Sequence, residues 1–264
     1  MRNQRWWKFA SAIFASAIAG ALWAGGAFAA AMVADLEGDV RVEVTGAKSR
    51  ALVPGERVAS GSLVTTAPGA RLKLRFDDGQ WAALHENTQF RIEDFHYGPQ
   101  EPKADRAAFV LLRGALRIVT GALGRRNPEA FELRAPNLLI GVRGTDFMVA
   151  IADSTYLSVL EGAVTATNAG GTATFRAGDL GATAAEATLA AAIQANALPA
   201  AVTTPFGSLG ALRVAPPASP GAAGKAEPAK DARTRELKDD LGNHGKDAPG
   251  AARERGRDLK PRPK

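Results

Sequence analysis

The stretch LKLRFDDG, residues 72–79, indicates the fold class of this chain. Its apolar side chains Leu72, Leu74 and Phe76 occupy alternate positions, so an extended strand would have one apolar and one polar face. The aspartates and glycine at 77–79 favour a tight hairpin turn, because Asp and Gly tolerate the positive φ angles of such turns. The stretch therefore predicts an antiparallel hairpin with one buried face.

On both sides of this stretch, short runs of strand-forming residues recur, separated by Gly, Asp, Asn and Pro. They lie at 40–44, 109–112, 115–119, 130–134, 147–151, 155–160, 164–167 and 172–176. A helix is expected only at 184–198, where Ala, Leu and Ile dominate before Pro199. Short strands at regular intervals predict an all-β domain, a sandwich or jelly roll of many short antiparallel strands, with a short C-terminal helix.

The densest local signal is IGVRGTDF, residues 140–147, where an arginine lies between two glycines. Gly141 and Gly144 permit a bulge or a close approach of the backbone. Arg143 is suited either to an internal clamp with an acid or a backbone carbonyl, or to a ligand carboxylate. The internal clamp is favoured, because buried polar groups are usually satisfied within the fold.

These residues resemble the core motif of FecR domains, v-R-G-T-x-F, and companion motifs occur in the order of that family. The companions are Gly38-Asp39-Val40, Gly61–Thr66, Gly69-Ala70, Leu72–Phe76 with Asp78-Gly79, Asn87-Thr88, Arg113–Leu116, Val159–Val164 and Ala177-Gly178-Asp179. The likeness extends over residues 35–180.

The resemblance implies an all-β, periplasmic domain without catalytic residues, in which Arg143, Gly144, Thr145 and Phe147 are structural. In the founding regulators of the family, a cytoplasmic segment and a membrane helix couple this domain to a sigma factor, and an outer-membrane transporter signals to it. Residues 1–8 of this chain are too short for that cytoplasmic role. The resemblance therefore implies an extracytoplasmic recognition domain rather than the whole signalling circuit.

The N-terminus has the composition of a secretory signal peptide. Arg2, Arg5 and Lys8 precede an apolar stretch at 9–23, and residues 27–29 fit the small-x-small cleavage rule. The apolar stretch has about 15 residues, fewer than the roughly 20 of a spanning helix, so cleavage after residue 29 is favoured over an uncleaved anchor. We expect a periplasmic protein, or a secreted one, that meets the membrane only if the leader is retained.

The remaining chain is predicted to have three parts: the all-β domain at 30–183, a short helix with connecting residues at 184–215, and a disordered tail at 216–264. The tail is rich in Ala, Pro and charged residues and has too few large apolar side chains to fold. The net charge of +6 comes from the leader (+3) and the tail (+4), which leaves −1 for the residues between them. Such a domain lacks the basic field that nucleic acid requires.

Side chains suited to catalysis or to metal binding are scarce. There is no cysteine, and His85, His96 and His244 are the only histidines. Neighbours on a strand point to opposite faces, so His85 and Glu86 should not converge. The acids at 77–78 are explained by the hairpin turn rather than by calcium. We expect no enzymatic activity, no cofactor and no metal site.

Trp81 and Tyr97 are candidates for a ligand surface, because their rings could stack on sugars. The competing interpretation places Trp81 in the core opposite Phe76.

Two functions follow from these observations. In the first, the domain recognises an envelope protein, whose extended segment could add to an exposed sheet edge. In the alternative, it binds a cell-wall glycan, with the basic tail on anionic wall polymer.

Overall fold

The computed structural model describes residues 29–185 and 188–213. Residues 1–28 of the predicted leader and the whole predicted disordered tail lie outside these residues. The described chain consists mostly of β-strands, which confirms the all-β class. No helix in these two segments is long and apolar enough to span a bilayer.

Fifteen strands follow one another along the described chain. They are β1 (Ala29–Glu37), β2 (Val40–Val44), β3 (Arg50–Ala51), β4 (Arg57–Ala59), β5 (Ser62–Thr66), β6 (Arg71–Phe76), β7 (Trp81–Leu84), β8 (Gln89–His96), β9 (Arg106–Val119), β10 (Phe131–Ala135), β11 (Leu138–Ile151), β12 (Thr155–Asn168), β13 (Gly171–Arg176), β14 (Leu180–Thr183) and β15 (Ala191–Ala192). Two α-helices accompany them, α1 (Ala122–Arg126) and α2 (Ala200–Gly210), with 3₁₀ turns at Pro102–Ala104, Pro128–Ala130 and Ala195–Ala197.

The strands form one hydrogen-bonded sheet that folds back on itself into two facing layers. The first layer holds, in order, β3, β2, β5, β8, the first half of β9, β10, the first half of β11, the second half of β12, and β13. The second layer holds β4, β1, β6, β7 and the other halves of β9, β11 and β12, followed by β14 and β15. The β9–β10 pair is parallel, and the other described pairs are antiparallel.

Three strands of 14 residues, β9, β11 and β12, pass from one layer to the other. Each contains a glycine with positive φ near its middle: Gly114 (+85°), Gly144 (+60°) and Gly162 (+79°). The sequence predicted turns between shorter strands at Gly114 and Gly162. The structure instead continues the strand through each glycine, because a local bulge bends the backbone without ending the pairing.

The core fills the space between the two layers. Phe76 of the second layer contacts Phe109 of the first, with ring centroids 5.3 Å apart, and Phe131 contacts Phe147 at 6.4 Å. All four side chains are buried. The alternation predicted for Leu72, Leu74 and Phe76 is present, since all three are buried on β6. The hairpin predicted at 77–79 joins β6 to β7.

The short C-terminal helix is confirmed, but its predicted position, 184–198, is wrong. Those residues include strand β15 and a 3₁₀ turn, and α2 begins only after Pro199. The alanine-rich composition was mistaken for a helical signal. Pro199 precedes the helix rather than ending it, which suits its fixed φ angle and missing N–H.

Helix α2 covers the outer face of the second layer. Val202, Phe206 and Leu209 are buried against small side chains that include Ala83 and Ala115. Small residues on the sheet allow the helix to approach closely. A second, smaller apolar core is therefore present outside the sandwich.

Candidate binding surface

Strand β13 is the longest of the edge strands that the structure describes. It pairs with β12 on one side, and no described strand pairs with its other side. The other described edges, β3, β4 and β15, have two or three residues each, against six in β13. Strand β13 has the sequence GTATFR and contains neither Pro nor Lys, residues that commonly protect edges from pairing.

The open backbone groups of β13 belong to Thr172 and Thr174. The Arg176 N–H donates to Asp179 Oδ2 (2.7 Å), and the Asp179 N–H donates to the Arg176 carbonyl (2.9 Å). The Ala177 N–H, in contrast, donates to Gly162 of β12 (3.1 Å). Because successive residues of a strand direct their backbone groups to opposite sides, Thr172 and Thr174 face away from β12. Neither makes another backbone hydrogen bond within the described residues.

Two side chains flank this open edge. At its N-terminal end Leu189 lies beside Gly171 and is 45% exposed. At its C-terminal end the Arg176 side chain is exposed. The edge thus presents unpaired backbone groups between an apolar and a basic side chain. An extended peptide that adds a strand to a sheet pairs with backbone groups of this kind.

The motif residues at 143–147 do not lie together in one site. Phe147 is buried in the core. Thr145 is also buried, and its N–H donates to Thr120 Oγ1 (2.8 Å). Gly144 provides the positive φ of the bulge. Arg143 is exposed, and among the described residues its guanidinium makes no ion pair or hydrogen bond.

The internal clamp expected for Arg143 is made by a different arginine. Arg117 Nε and Nη2 donate to Asp146 Oδ1 (2.8 Å) and Oδ2 (2.6 Å). Arg117 Nη1 donates to the carbonyls of Leu209 and Leu212 at the end of α2, each at 2.9 Å. The expectation was wrong for Arg143 because the bulge at Gly144 leaves Arg143 on the outside of the sheet. Asp146 instead lies beside Arg117.

Trp81 and Tyr97 are each covered on one face by an arginine. The Arg75 guanidinium lies 5.7 Å from the Trp81 ring centroid, and that of Arg126 lies 4.4 Å from the Tyr97 ring centroid. Trp81 is half-buried on the outer face, so the prediction that it packs in the core opposite Phe76 is wrong. The two rings share no contact among the described residues and do not form one surface.

The acidic residues of the first hairpin have internal partners. Asp77 accepts hydrogen bonds from Arg57 Nη2 at 2.9 and 2.7 Å. Asp78 accepts from the N–H groups of Gln80 (2.8 Å) and Leu123 (3.2 Å), which joins the hairpin to α1. Burial raises the pKa of Asp78, and these hydrogen bonds oppose that rise.

His85 lies on the outer face of the second layer beside α2. Together with Asp35, Arg71 and Leu209 it lines a cavity of about 210 Å³. Burial lowers the pKa of His85. Glu86 accepts a hydrogen bond from the Gly69 N–H, which assigns it to a turn. No cluster of three potential metal ligands is found in the described segments.

Comparison with known proteins places part of this sheet in a family. The family model described as FecR protein matches residues 62–165, from β5 to the second half of β12. A comparison with curated protein sequences finds no match. Among solved structures, two crystal structures of a "putative anti-sigma factor" from Parabacteroides distasonis, at 1.65 and 2.50 Å resolution, are similar, with a TM-score of 0.39 and 15% identity. The similarity covers 50% of this chain and 57% of that one.

The matched region contains β9, β11 and most of β12, with their three glycine bulges. It therefore includes the RGT motif, whose likeness was recognised in the sequence. The match supports a regulatory or sensing role for the protein. On this finding, residues 62–165 of the chain are similar to the FecR protein family.

Proposed function

We propose that this protein is an extracytoplasmic recognition domain of FecR type that binds an envelope protein in a sensing, regulatory or assembly role. The observation that carries the proposal is the open edge of β13 at Thr172 and Thr174. An extended segment of the partner would pair with this edge, and its main chain would satisfy backbone groups that the domain leaves free.

Among the described residues, the cavity beside His85 is a weaker candidate for a binding site than the edge of β13. The cavity beside His85 is small, and its lining mixes acidic, basic and apolar side chains without a convergent set. The glycan alternative has less support, because Trp81 and Tyr97 lie apart and an arginine already covers one face of each. A protein segment is therefore the partner that the described surface fits best.

The test is affinity capture of the tagged protein after cross-linking in its native envelope, with captured proteins identified by mass spectrometry. Thr174→Pro removes the outward N–H of the edge, and proline is tolerated at such edge positions. Thr174→Val is the matched control, since it keeps both the N–H and the branched side chain. We expect one defined partner to be captured by the parent protein and by T174V, and to be lost with T174P.

Thermal unfolding of each variant shows whether the fold is intact, and T174P should remain close to the parent because its lost N–H has no internal partner. Equal capture of the same partner by T174P and T174V would contradict binding at this edge. Capture of wall material alone would favour the glycan alternative instead.

A further inference from the structure

Arg143 and Arg176 lie in one row across the outer face of the first layer. Arg143 of β11 pairs with Ala163 of β12, and Ala163 pairs with Arg176 of β13. Directly opposed residues point to the same side of a sheet, and adjacent strands are about 4.8 Å apart, so the two arginine backbones are separated by roughly 10 Å. The methyl group of Ala163 leaves the space between the two guanidinium groups open.

A pocket of about 500 Å³ occupies this space. Its lining consists of the two arginines, Thr165 and Thr174, and the small residues Gly162, Ala163 and Ala177. Within the described residues, none of the side chains that line it is acidic. The pocket therefore offers two guanidinium groups, which can donate hydrogen bonds to an anion.

Two other arginines of the same sheet face have acidic partners. Arg134 of β10 forms ion pairs with Glu93 and with Glu132. Arg106 similarly pairs with Asp94 (3.2 Å). Neither Arg143 nor Arg176 forms an ion pair among the described residues. Two guanidinium groups that line one pocket without an acidic side chain in its lining attract an anion, because planar guanidinium binds carboxylate through paired hydrogen bonds.

We propose that the pocket between Arg143 and Arg176 binds a carboxylate group, and that the segment that adds to β13 carries an acidic side chain beside Arg176. The proposal rests on the proposed function for the identity of that segment. A residue of the added strand opposite Arg176 would project from the same sheet face as Arg176. Its carboxylate would then reach the mouth of the pocket, while its neighbours pair along Thr174 and Thr172.

The pocket itself can be tested without the partner. Acetate is titrated into the whole chain while the side-chain Nε–Hε signals of the arginines are followed by NMR. We expect saturable shifts for Arg143 and Arg176, and their loss from Arg143 in the variant Arg176→Gln. Arg91, exposed on β8 of the same face, serves as the internal control and should not saturate. Acetate-induced shifts of the same size and concentration dependence for Arg91 and for the two pocket arginines would overturn the proposal.

Two synthetic peptides test whether a segment that pairs with β13 also places its carboxylate in the pocket. They are acetyl-Val-Asp-Val-Thr-Val-Thr-Val-amide and its analogue with Asn in place of Asp. We expect the Asp peptide to bind the whole chain roughly tenfold more tightly, because a charge-assisted hydrogen bond is stronger than a neutral one. Arg143→Gln and Arg176→Gln should abolish this preference, whereas Arg91→Gln should keep it.

The outcomes separate the two proposals. Binding of both peptides with equal affinity, sensitive to T174P, would leave the edge in place and overturn the carboxylate pocket. Saturable acetate shifts without binding of either peptide would support the pocket and contradict strand addition at β13. Pairing of two copies of this chain through β13 would appear as a concentration-dependent change in mass, and would also contradict the acidic partner.

Discussion

At the scale of single residues, Arg117 and Asp146 connect the family motif to the C-terminal helix. Both side chains are largely buried, at 10% and 15% exposure. Arg117 also places its charge on the last carbonyls of α2, which carry the negative end of the helix dipole. One ion pair therefore joins β9, β11 and α2.

Arg117→Ala should destabilise the protein by about 3 kcal/mol, because it leaves the Asp146 carboxylate without its partner in a poorly solvated place. The measurement is urea-induced unfolding at neutral pH. Arg134→Ala is the control, since its ion pair with Glu93 is half exposed and such pairs contribute about 1 kcal/mol or less. Equal losses for the two variants would show that the clamp adds nothing beyond a surface ion pair.

At the scale of elements, the glycines at 114, 144 and 162 determine how the long strands cross between layers. Each has a positive φ, and two of them are also closely packed. A Cβ on Gly114 would lie 2.5 Å from Thr88 Cα, and one on Gly162 would lie 2.4 Å from the Gly144 carbonyl oxygen. Both the backbone conformation and the space require glycine here.

Gly162→Ala should cost about 3 kcal/mol or more, because strain at positive φ adds to a clash with backbone atoms. Gly178→Ala is matched in conformation, with φ +93°, but no atom lies within 4 Å of its added Cβ. It should cost only about 1 kcal/mol. Chemical denaturation of both variants measures the difference. A Gly178 variant as unstable as the Gly162 variant would mean that packing at the crossover is irrelevant.

At the scale of the whole molecule, the first described strand includes the residues on both sides of the predicted cleavage site. Strand β1 starts at Ala29, and Ala30 and Ala31 are buried in the core. The pairing of β1 with β6 starts at Ala31. Removal of residues 1–29 would therefore leave this pairing intact.

We therefore expect the protein released by osmotic shock to begin at Ala30, because a short apolar segment followed by small residues favours cleavage over anchoring. Mass spectrometry of the intact protein gives the N-terminus directly. Recovery in the membrane pellet with residues 1–29 still attached would contradict both cleavage and the periplasmic location that we propose.

Local patterns were enough to predict much of the sheet. Alternation predicted β2 and β6, and the Asp-Asp-Gly sequence predicted the hairpin between β6 and β7, since both depend on neighbouring residues alone. The likeness to FecR domains was likewise visible in short motifs, and the match over 62–165 confirms it. The helix prediction failed because alanine-rich composition carries little information without a clear apolar period.

The candidate surface was less predictable. The run at 172–176 was predicted as a strand, but nothing in its sequence tells whether a strand lies at an edge or in the middle of a sheet. The same is true of Arg143, whose exposure depends on the bulge at Gly144 and on its cross-strand neighbour Ala163.

The all-β class, the first hairpin and the family likeness therefore follow from local sequence, because periodicity and turn chemistry act within a few residues. Three other features became visible only in the folded chain: glycine-bulged strands cross between two layers, Arg117 rather than Arg143 holds Asp146, and Arg143 and Arg176 share one open pocket beside a free edge. These features depend on contacts between residues that are distant in the chain, and such contacts arise only when the strands pair.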